Sequence, residues 1–202
     1  MRTKGGWALI ELLVVIAIII VLAGITYAVI MYARERASQA RCISNLRQIG
    51  VALKLYMEDY KQADWDTEIK GVDCVRINRD TARRLSDRWG FPPSLLHLVS
   101  AGYLRGGGDA LRCRSCWSEH LISTPEHYNY HRPDLVINAS NFPMRLNSIC
   151  KLQERMYDYP IVVDLFHWRP NRGGVILVLR LNESVETKPF TIFAPSFSSM
   201  DL

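Results

Sequence analysis

An α+β fold is predicted by three features of this 202-residue chain: an apolar run from Leu12 to Ala33, an amphipathic stretch directly after it, and several short β-branched segments toward the C-terminus. The run is long enough to cross a bilayer, the stretch repeats with the period of a helix, and the last segments have strand chemistry. One architecture satisfies all three: a long N-terminal helix, membrane-spanning in its first half, packed through its outer half on a small antiparallel β-sheet. Composition narrows the class further. With 49% apolar and 22% charged residues the chain is no disordered tail. Its 25 Lys and Arg against 20 Asp and Glu leave a formal charge of +5. That excess is spread along the chain, whereas a nucleic-acid surface would cluster it, so no nucleic-acid partner is expected.

Leu12 to Ala33 is 22 residues without Asp, Glu, Lys or Arg. As a helix rising ~1.5 Å per residue it is roughly 33 Å long, against a hydrocarbon core of ~30 Å, so it spans a membrane rather than lying on it. A buried core helix is disfavoured, since such helices are seldom apolar on every face over this length. A cleaved secretory signal is the stronger competitor, because Arg2 and Lys4 precede the run. Its apolar region is usually only ~7 to 15 residues, however, and no small-x-small cleavage site follows here. Flanking charge does not orient the segment: Arg34, Arg36, Arg41 and Arg47 follow it closely, which leans away from an extracytoplasmic C-terminal part. Five cysteines lean the other way, toward an oxidising compartment.

Beyond Ala33 the helix is expected to continue to about Tyr60. Cys42, Leu46, Ile49, Leu53, Tyr56 and Tyr60 alternate spacings of four and three, an apolar stripe suited to packing on a sheet. An independent coiled coil would need more heptads and more regular flanking charges. Gly24 and Gly50 are tolerable helix glycines that suit a bend or a close approach. From Lys61 to Trp89 the sequence is polar and irregular, with a short helix over Arg79 to Arg88. Phe91-Pro92-Pro93-Ser94 opens a second helix to about Ser100, since proline fits a first turn and Gly102 supplies a stop.

The Gly106-Gly107-Gly108 loop is no phosphate cradle, because no strand precedes it and no Lys-Ser or Lys-Thr pair follows. Strands are expected over His127–His131, Ile161–Phe166, Val175–Leu181 and Val185–Phe193. Asn171, Gly173 and Gly174 suit one turn and Asn182–Ser184 the next, which makes the end of the chain an antiparallel meander.

Cys113 and Cys116 form a C-x2-C followed by His120 and His127, which raises a Cys2His2 zinc site. A single C-x2-C is a weak signal. A local disulfide, or pairing with Cys42, Cys74 or Cys150, competes with it outside the cytoplasm, and an odd count leaves one cysteine over. No metal, cofactor or redox role is expected, because the strand-to-helix setting of a thioredoxin-like site is missing. His97 sits on an apolar helix face and reads as packed, while His131 and His167 have no nucleophile or base near them in sequence. The adjacent acids Glu58 and Asp59 read as solvated rather than catalytic, and the chain is not expected to be an enzyme.

The N-terminus reads Lys4-Gly5-Gly6-Trp7-Ala8-Leu9-Ile10-Glu11-Leu12: a basic leader, a glycine, an aromatic residue, three mostly apolar residues and a glutamate opening an apolar helix. It resembles the prepilin-type N-terminus of type IV pilins and type II secretion pseudopilins. The stretch from Arg41 to Gly50, continuing through Tyr56 and Tyr60, is similar to the helix of a large pseudopilin-like group. Asp164, Trp168 to Gly174 and the strand Val175 to Glu186 resemble that group's C-terminal pattern.

The resemblance implies a pilin-like fold and a set of roles. A prepilin peptidase would cut between Gly6 and Trp7 on the cytoplasmic side and methylate the amine of Trp7. Residues 1–6 would be a cytoplasmic leader, 7–33 the transmembrane half of the helix, 34–60 its outer half, and 61–202 an extracytoplasmic α+β domain.

Glu11 can also be argued physically. An acid at the membrane end of a helix costs less than the ~3 kcal/mol expected at the bilayer centre, because it reaches the interface. When apolar helices pack into a filament that escape is lost, and the cationic amine of a neighbouring Trp7 becomes its natural partner. The implied function is a structural subunit of a type II secretion pseudopilus or type IV pilus-like filament in a bacterial inner membrane. The implied partners are prepilin peptidase, other pilin or pseudopilin subunits, the inner-membrane assembly platform and membrane lipid. The alternative is a membrane-tethered extracytoplasmic binding or enzymatic domain that uses the segment as an anchor.

Overall fold

Helix α1 runs from Gly5 to Tyr60 without a break, 56 residues or roughly 84 Å at the helical rise. The computed structural model describes residues 5–74, 76–105, 107–113, 128–134, 148–169 and 173–190. By its contacts the chain divides into two units, Met1–Ala40 and Arg41–Leu202. Every described side chain from Leu9 to Arg34 in the first unit is exposed.

The second unit contains the outer end of α1 and all the remaining elements. These are α2 (Trp65–Glu68), α3 (Arg79–Arg88), α4 (Leu95–Ser100), β1 (Asn129–Tyr130), α5 (Ser148–Arg155), β2 (Pro160–Arg169), β3 (Gly173–Arg180) and β4 (Val185–Phe190). The described strands form one antiparallel sheet in the order β1-β2-β3-β4, a meander with β4 at an edge.

The apolar stripe of α1 explains how helix and sheet meet. Cys42, Leu46, Ile49, Leu53 and Tyr56 are buried in one core with Ile161, Val162, Leu177 and Leu179. Tyr60, expected to extend the stripe, is instead half exposed and stacks on Tyr56 at 4.4 Å. Gly50 sits against β3, where a Cβ would lie 3.1 Å from Leu179 Cδ1. Along β3 the side chains alternate with period two. Leu177 and Leu179 face the main core, while Ile176 and Val178 join Val163 in a second, smaller cluster. Strand β2 breaks that alternation through register shifts at Pro160/Val162 and Asp164/His167, and the first explains why the neighbours Ile161 and Val162 both reach the main core.

Local chemistry sets the short helices. Asn78 caps α3 by accepting the Thr81 N–H at 2.8 Å. Pro92 and Pro93 do not open α4 as expected. Ser94 takes the capping position and accepts the His97 N–H at 3.3 Å, which leaves both prolines ahead of the helix. Both helices end in the same way: the Phe91 N–H bonds Ser86 O at 3.0 Å after α3, and the Tyr103 N–H bonds Leu98 O at 2.9 Å after α4. A left-handed glycine, Gly90 (φ 79°) or Gly102 (φ 83°), makes each turn possible. Gly90 is constrained twice, because a Cβ there would also lie 2.6 Å from Met57 O of α1.

Gly173 and Gly174 were expected in a turn but begin β3, opposite Arg169 and Trp168. The β3–β4 turn comprises Leu181, Asn182 and Glu183, closed by Arg180 N–H to Ser184 O at 3.0 Å. Asn182 Oδ1 accepts from the Ser184 N–H and hydroxyl, and the left-handed position falls on Glu183 (φ 66°). Pro189 lies opposite Val175. Counting alternate pairs from that closing bond, its missing N–H would have pointed away from β3, toward the free edge. His127 and Thr191–Phe193, the outer ends of two expected strands, lie outside the described residues, as does Asn171.

Candidate assembly surface

The implied processing and assembly residues sit at the start of α1. Gly6 and Trp7 belong to its first turns and Glu11 follows Trp7 by four residues, about 6 Å along the axis. Glu11 is exposed and is the only acid between Leu9 and Arg34. Around it Leu9, Ile10, Leu12 and Leu13 are each more than half exposed, and the described apolar residues onward to Val21, Ile25 and Val29 are about half exposed or more on every side of the helix. Such a surface is compatible with lipid or with other apolar helices, not with water.

One polar group on this surface is satisfied within the helix itself. The Thr26 hydroxyl donates to Leu22 O at 2.7 Å, within its own helix. At the far end of the run Tyr27 and Tyr32 are exposed, and Arg36 lies over the Tyr32 ring at 5.3 Å while its Nε donates to the Tyr32 hydroxyl at 3.0 Å. Aromatic rings with an arginine beside them are common where a helix leaves a membrane, and this end of the run shares that pattern. Among the described residues α1 is the one helix long and apolar enough to cross a membrane.

In the second unit two disulfides fasten the fold. Cys42 of α1 bonds Cys113, and Cys74 bonds Cys150 of α5, across 71 and 76 residues of sequence and with Cα atoms 5.6 and 5.1 Å apart. Asn45 adds a hydrogen bond to Arg112 O at 3.3 Å beside the first. Cys113 is therefore engaged with α1 rather than with Cys116. Cys116, His120 and His127, the other members of the zinc reading, lie outside the described residues. Cys42, Cys113 and Asp164 bring two sulfurs and a carboxylate oxygen within 4.8 Å of one another, but both sulfurs are already used in the disulfide, so the trio does not serve as a metal centre.

A groove of about 470 Å³ opens between α1, α2 and the β3–β4 turn, floored by Leu53, Met57, Trp89 and Ile161. Its rim groups engage one another. Lys54 pairs with Glu183 at 2.6 Å, and Lys61 with Glu58 at 2.9 Å and Asp64 at 3.0 Å. These acids push both lysines above the ordinary lysine range. The Tyr157 hydroxyl donates to Asp66 at 2.8 Å, which lowers the Asp66 pKa and raises that of Tyr157. Arg180, buried below the rim, donates to Asp158 O and to Glu186 at 2.7 Å and lowers the Glu186 pKa. This is a self-paired rim that fixes the turn on the helix.

The remaining candidates of the sequence have structural positions. His97 is half buried with its ring edge-on to Tyr56 at 5.6 Å, and Asp59 accepts from the Tyr103 hydroxyl at 2.7 Å. Burial and Lys151 lower the pKa of His131, and His167 lies in β2. The sequence reading missed Arg132. It is buried after β1, with Asp87 of α3 on one side and Asp134 at 3.2 Å on the other. No periodic pattern marks such a pair.

The helix, the meander and the bare apolar run can now be compared with known proteins. Over 109 aligned residues the chain is 29% identical to type II secretion system core protein G of Aeromonas hydrophila. The alignment takes in 47% of this chain and 74% of that protein, and it supports the pseudopilin family as the one the chain resembles. The long apolar helix and this similarity together fit a membrane-anchored protein. No known family profile matches the chain, and no solved structure matches it.

Proposed function

We propose that this chain is a structural subunit of a type II secretion pseudopilus or a related type IV pilus-like filament, made as a prepilin and held in the inner membrane until assembly. The observation that carries the reading is the first half of α1, exposed on all sides over about 25 residues and interrupted by one acid, Glu11, near its start. A surface of that kind calls for a partner, and the similarity to core protein G supplies the class. On this reading prepilin peptidase cuts between Gly6 and Trp7, residues 7–33 span the membrane, and residues 61–202 form the extracytoplasmic domain. Both disulfides lie in the second unit and support its placement in an oxidising compartment, with the N-terminus cytoplasmic, against the charge count of the four arginines. The partners are the peptidase, the assembly platform, lipid and other subunits.

Glu11→Ala tests the assembly role. Removing the acid makes the apolar segment easier to insert, so the variant should be processed and reach the membrane as wild type does. In the filament the amine of Trp7 would be left without its partner. Breaking a buried pair costs ~3 to 5 kcal/mol, a loss of incorporation of roughly two to three and a half orders of magnitude. Equal amounts of cleaved protein in membranes are compared for recovery in sheared filaments. Normal incorporation of the variant would reduce Glu11 to a boundary residue.

A further inference from the structure

The end of the apolar run carries charge where the proposed orientation gives no reason for it. Arg34 and Arg36 follow Ala33 almost at once, and the four arginines from Arg34 to Arg47 count against an extracytoplasmic domain. On the prepilin reading, removal of residues 1–6 sharpens the imbalance: Arg2 and Lys4 leave, and the first Lys or Arg of the mature chain is then Arg34. Both Arg34 and Arg36 are exposed, and among the described residues neither forms an ion pair. The acid between them, Glu35, is partly buried and accepts from Gln39 at 3.4 Å.

The helix sets the two arginines apart and prepares one of them. Positions two residues apart lie ~200° apart around an α-helix, so Arg34 and Arg36 leave α1 on nearly opposite sides. The Arg36 guanidinium lies over the Tyr32 ring at 5.3 Å, and its Nε donates to the Tyr32 hydroxyl at 3.0 Å. A longer bond, 3.5 Å, runs from its Nη1 to Gln39 Oε1. The planar group is thereby held with N–H donors to spare, and the Tyr32 hydroxyl, which accepts from Arg36, keeps its own proton to donate. Among the described residues the donors of Arg34 are open. Such donors suit the oxygens of a phosphate, which a guanidinium binds in bidentate fashion. If residues 7–33 span the membrane, the first phosphates these long side chains meet are those of the lipid headgroups.

We propose that Arg34 and Arg36, the latter held by Tyr32, form two separate sites for the phosphate of an anionic phospholipid on the outer side of the membrane. This rests on the membrane-spanning reading of α1 and deepens it by naming the headgroup. Net charge on the lipid decides the choice, since a zwitterionic headgroup offers the same phosphate but brings a cation that an arginine repels. An arginine at an anionic surface is worth roughly fivefold in affinity, the equivalent of ~1 kcal/mol. Glu35 offsets part of the charge, but it leaves the helix on a third side and forms an ion pair with neither arginine.

The test uses the full chain in nonionic detergent micelles, titrated with phosphatidylglycerol and separately with phosphatidylcholine of the same acyl chains. Bound lipids are counted by native mass spectrometry. Wild type should take up two molecules of phosphatidylglycerol, each bound roughly fivefold tighter than phosphatidylcholine, and this margin should shrink as salt is raised. Arg34→Gln and Arg36→Gln should each leave one such site, and the double variant none. Arg47→Gln, which has the same total charge as either single variant, should keep both. Equal loss in Arg47→Gln would show that net charge alone attracts the lipid, and would overturn the proposal. Displacement by inorganic phosphate at the concentration of the lipid would overturn it as well, by making these general anion sites. Carbonate extraction from phosphatidylcholine vesicles tells the two levels of the reading apart. A chain that washes off does not span the membrane, and the lipid sites fall with that reading. A chain that stays in and binds both lipids alike refutes the sites alone.

Discussion

The two ends of α1 are built from similar residues and meet opposite fates. From Leu9 to Arg34 every described side chain is exposed, whereas Cys42, Leu46, Ile49 and Leu53 are buried to within a few per cent. Both stretches are rich in Leu, Ile and Val, so apolar content alone does not decide burial. What differs is distribution. The outer end gathers most of its apolar residues into one stripe, with Val51 and Leu55 left half exposed, and flanks that stripe with Arg47, Lys54 and Glu58, so the sheet can cover it. The inner end is apolar all round, and no single face of one domain could cover it. The first end takes its stability from its own chain and the second must take it from lipid or other chains.

Three measurements would sharpen or break this contrast, the largest effect first. Cys42→Ser should remove a crosslink that closes a loop of 71 residues and lower domain stability by about 4 kcal/mol in a urea titration in detergent. A change below ~1 kcal/mol would mean that the core alone holds α1. Next, Leu46→Ala should cost ~3 kcal/mol by the same measurement, while Leu13→Ala should leave the domain unchanged and act only on membrane or filament partition. A comparable loss from Leu13→Ala would show that the inner end packs within its own chain.

The smallest effect is a titration. The hydrogen bond to Asp59 raises the Tyr103 pKa to about 12. That contribution is complete below the ordinary tyrosine value of ~10 and is lost as pH rises through the folded value. Ultraviolet difference titration of Asp59→Asn should bring one tyrosine back toward ~10; no shift would place the bond outside the solution ensemble.

Periodicity made most of this architecture legible. The stripe of α1, the strand chemistry of β3 and the stop at Gly102 each leave a local signature, and their elements lie close to where the sequence puts them; Gly90 is a left-handed stop that the reading did not single out. The failures share a different origin. Helix α5 has Ile149 and Leu152 at helical spacing, a pattern present in the sequence but too short to stand out beside the strands. The partner of each of the four bonded cysteines lies more than 70 residues away, and no local spacing encodes it. Near Asn182 the turn was placed correctly, but the competing side-chain bond to Ser184 moves the left-handed residue to Glu183, where Lys54 holds it. At the assembly surface, composition and one charged position were enough to mark Glu11, whereas the proximity of Asp164 to a disulfide exists only in three dimensions.

Pro189 bears on how copies of this chain can meet. A fifth strand laid along β4 would find outward donors at Val185 and Thr187 and none at Pro189, so a growing ladder of backbone bonds is interrupted where it would need to continue. Addition by shared sheets is the mode of assembly that is hardest to undo, since every bond reinforces the next. Among the described strands this holds for the β4 side alone: a copy that met the chain there would have to join it through side chains, and contacts of that kind can be released one at a time.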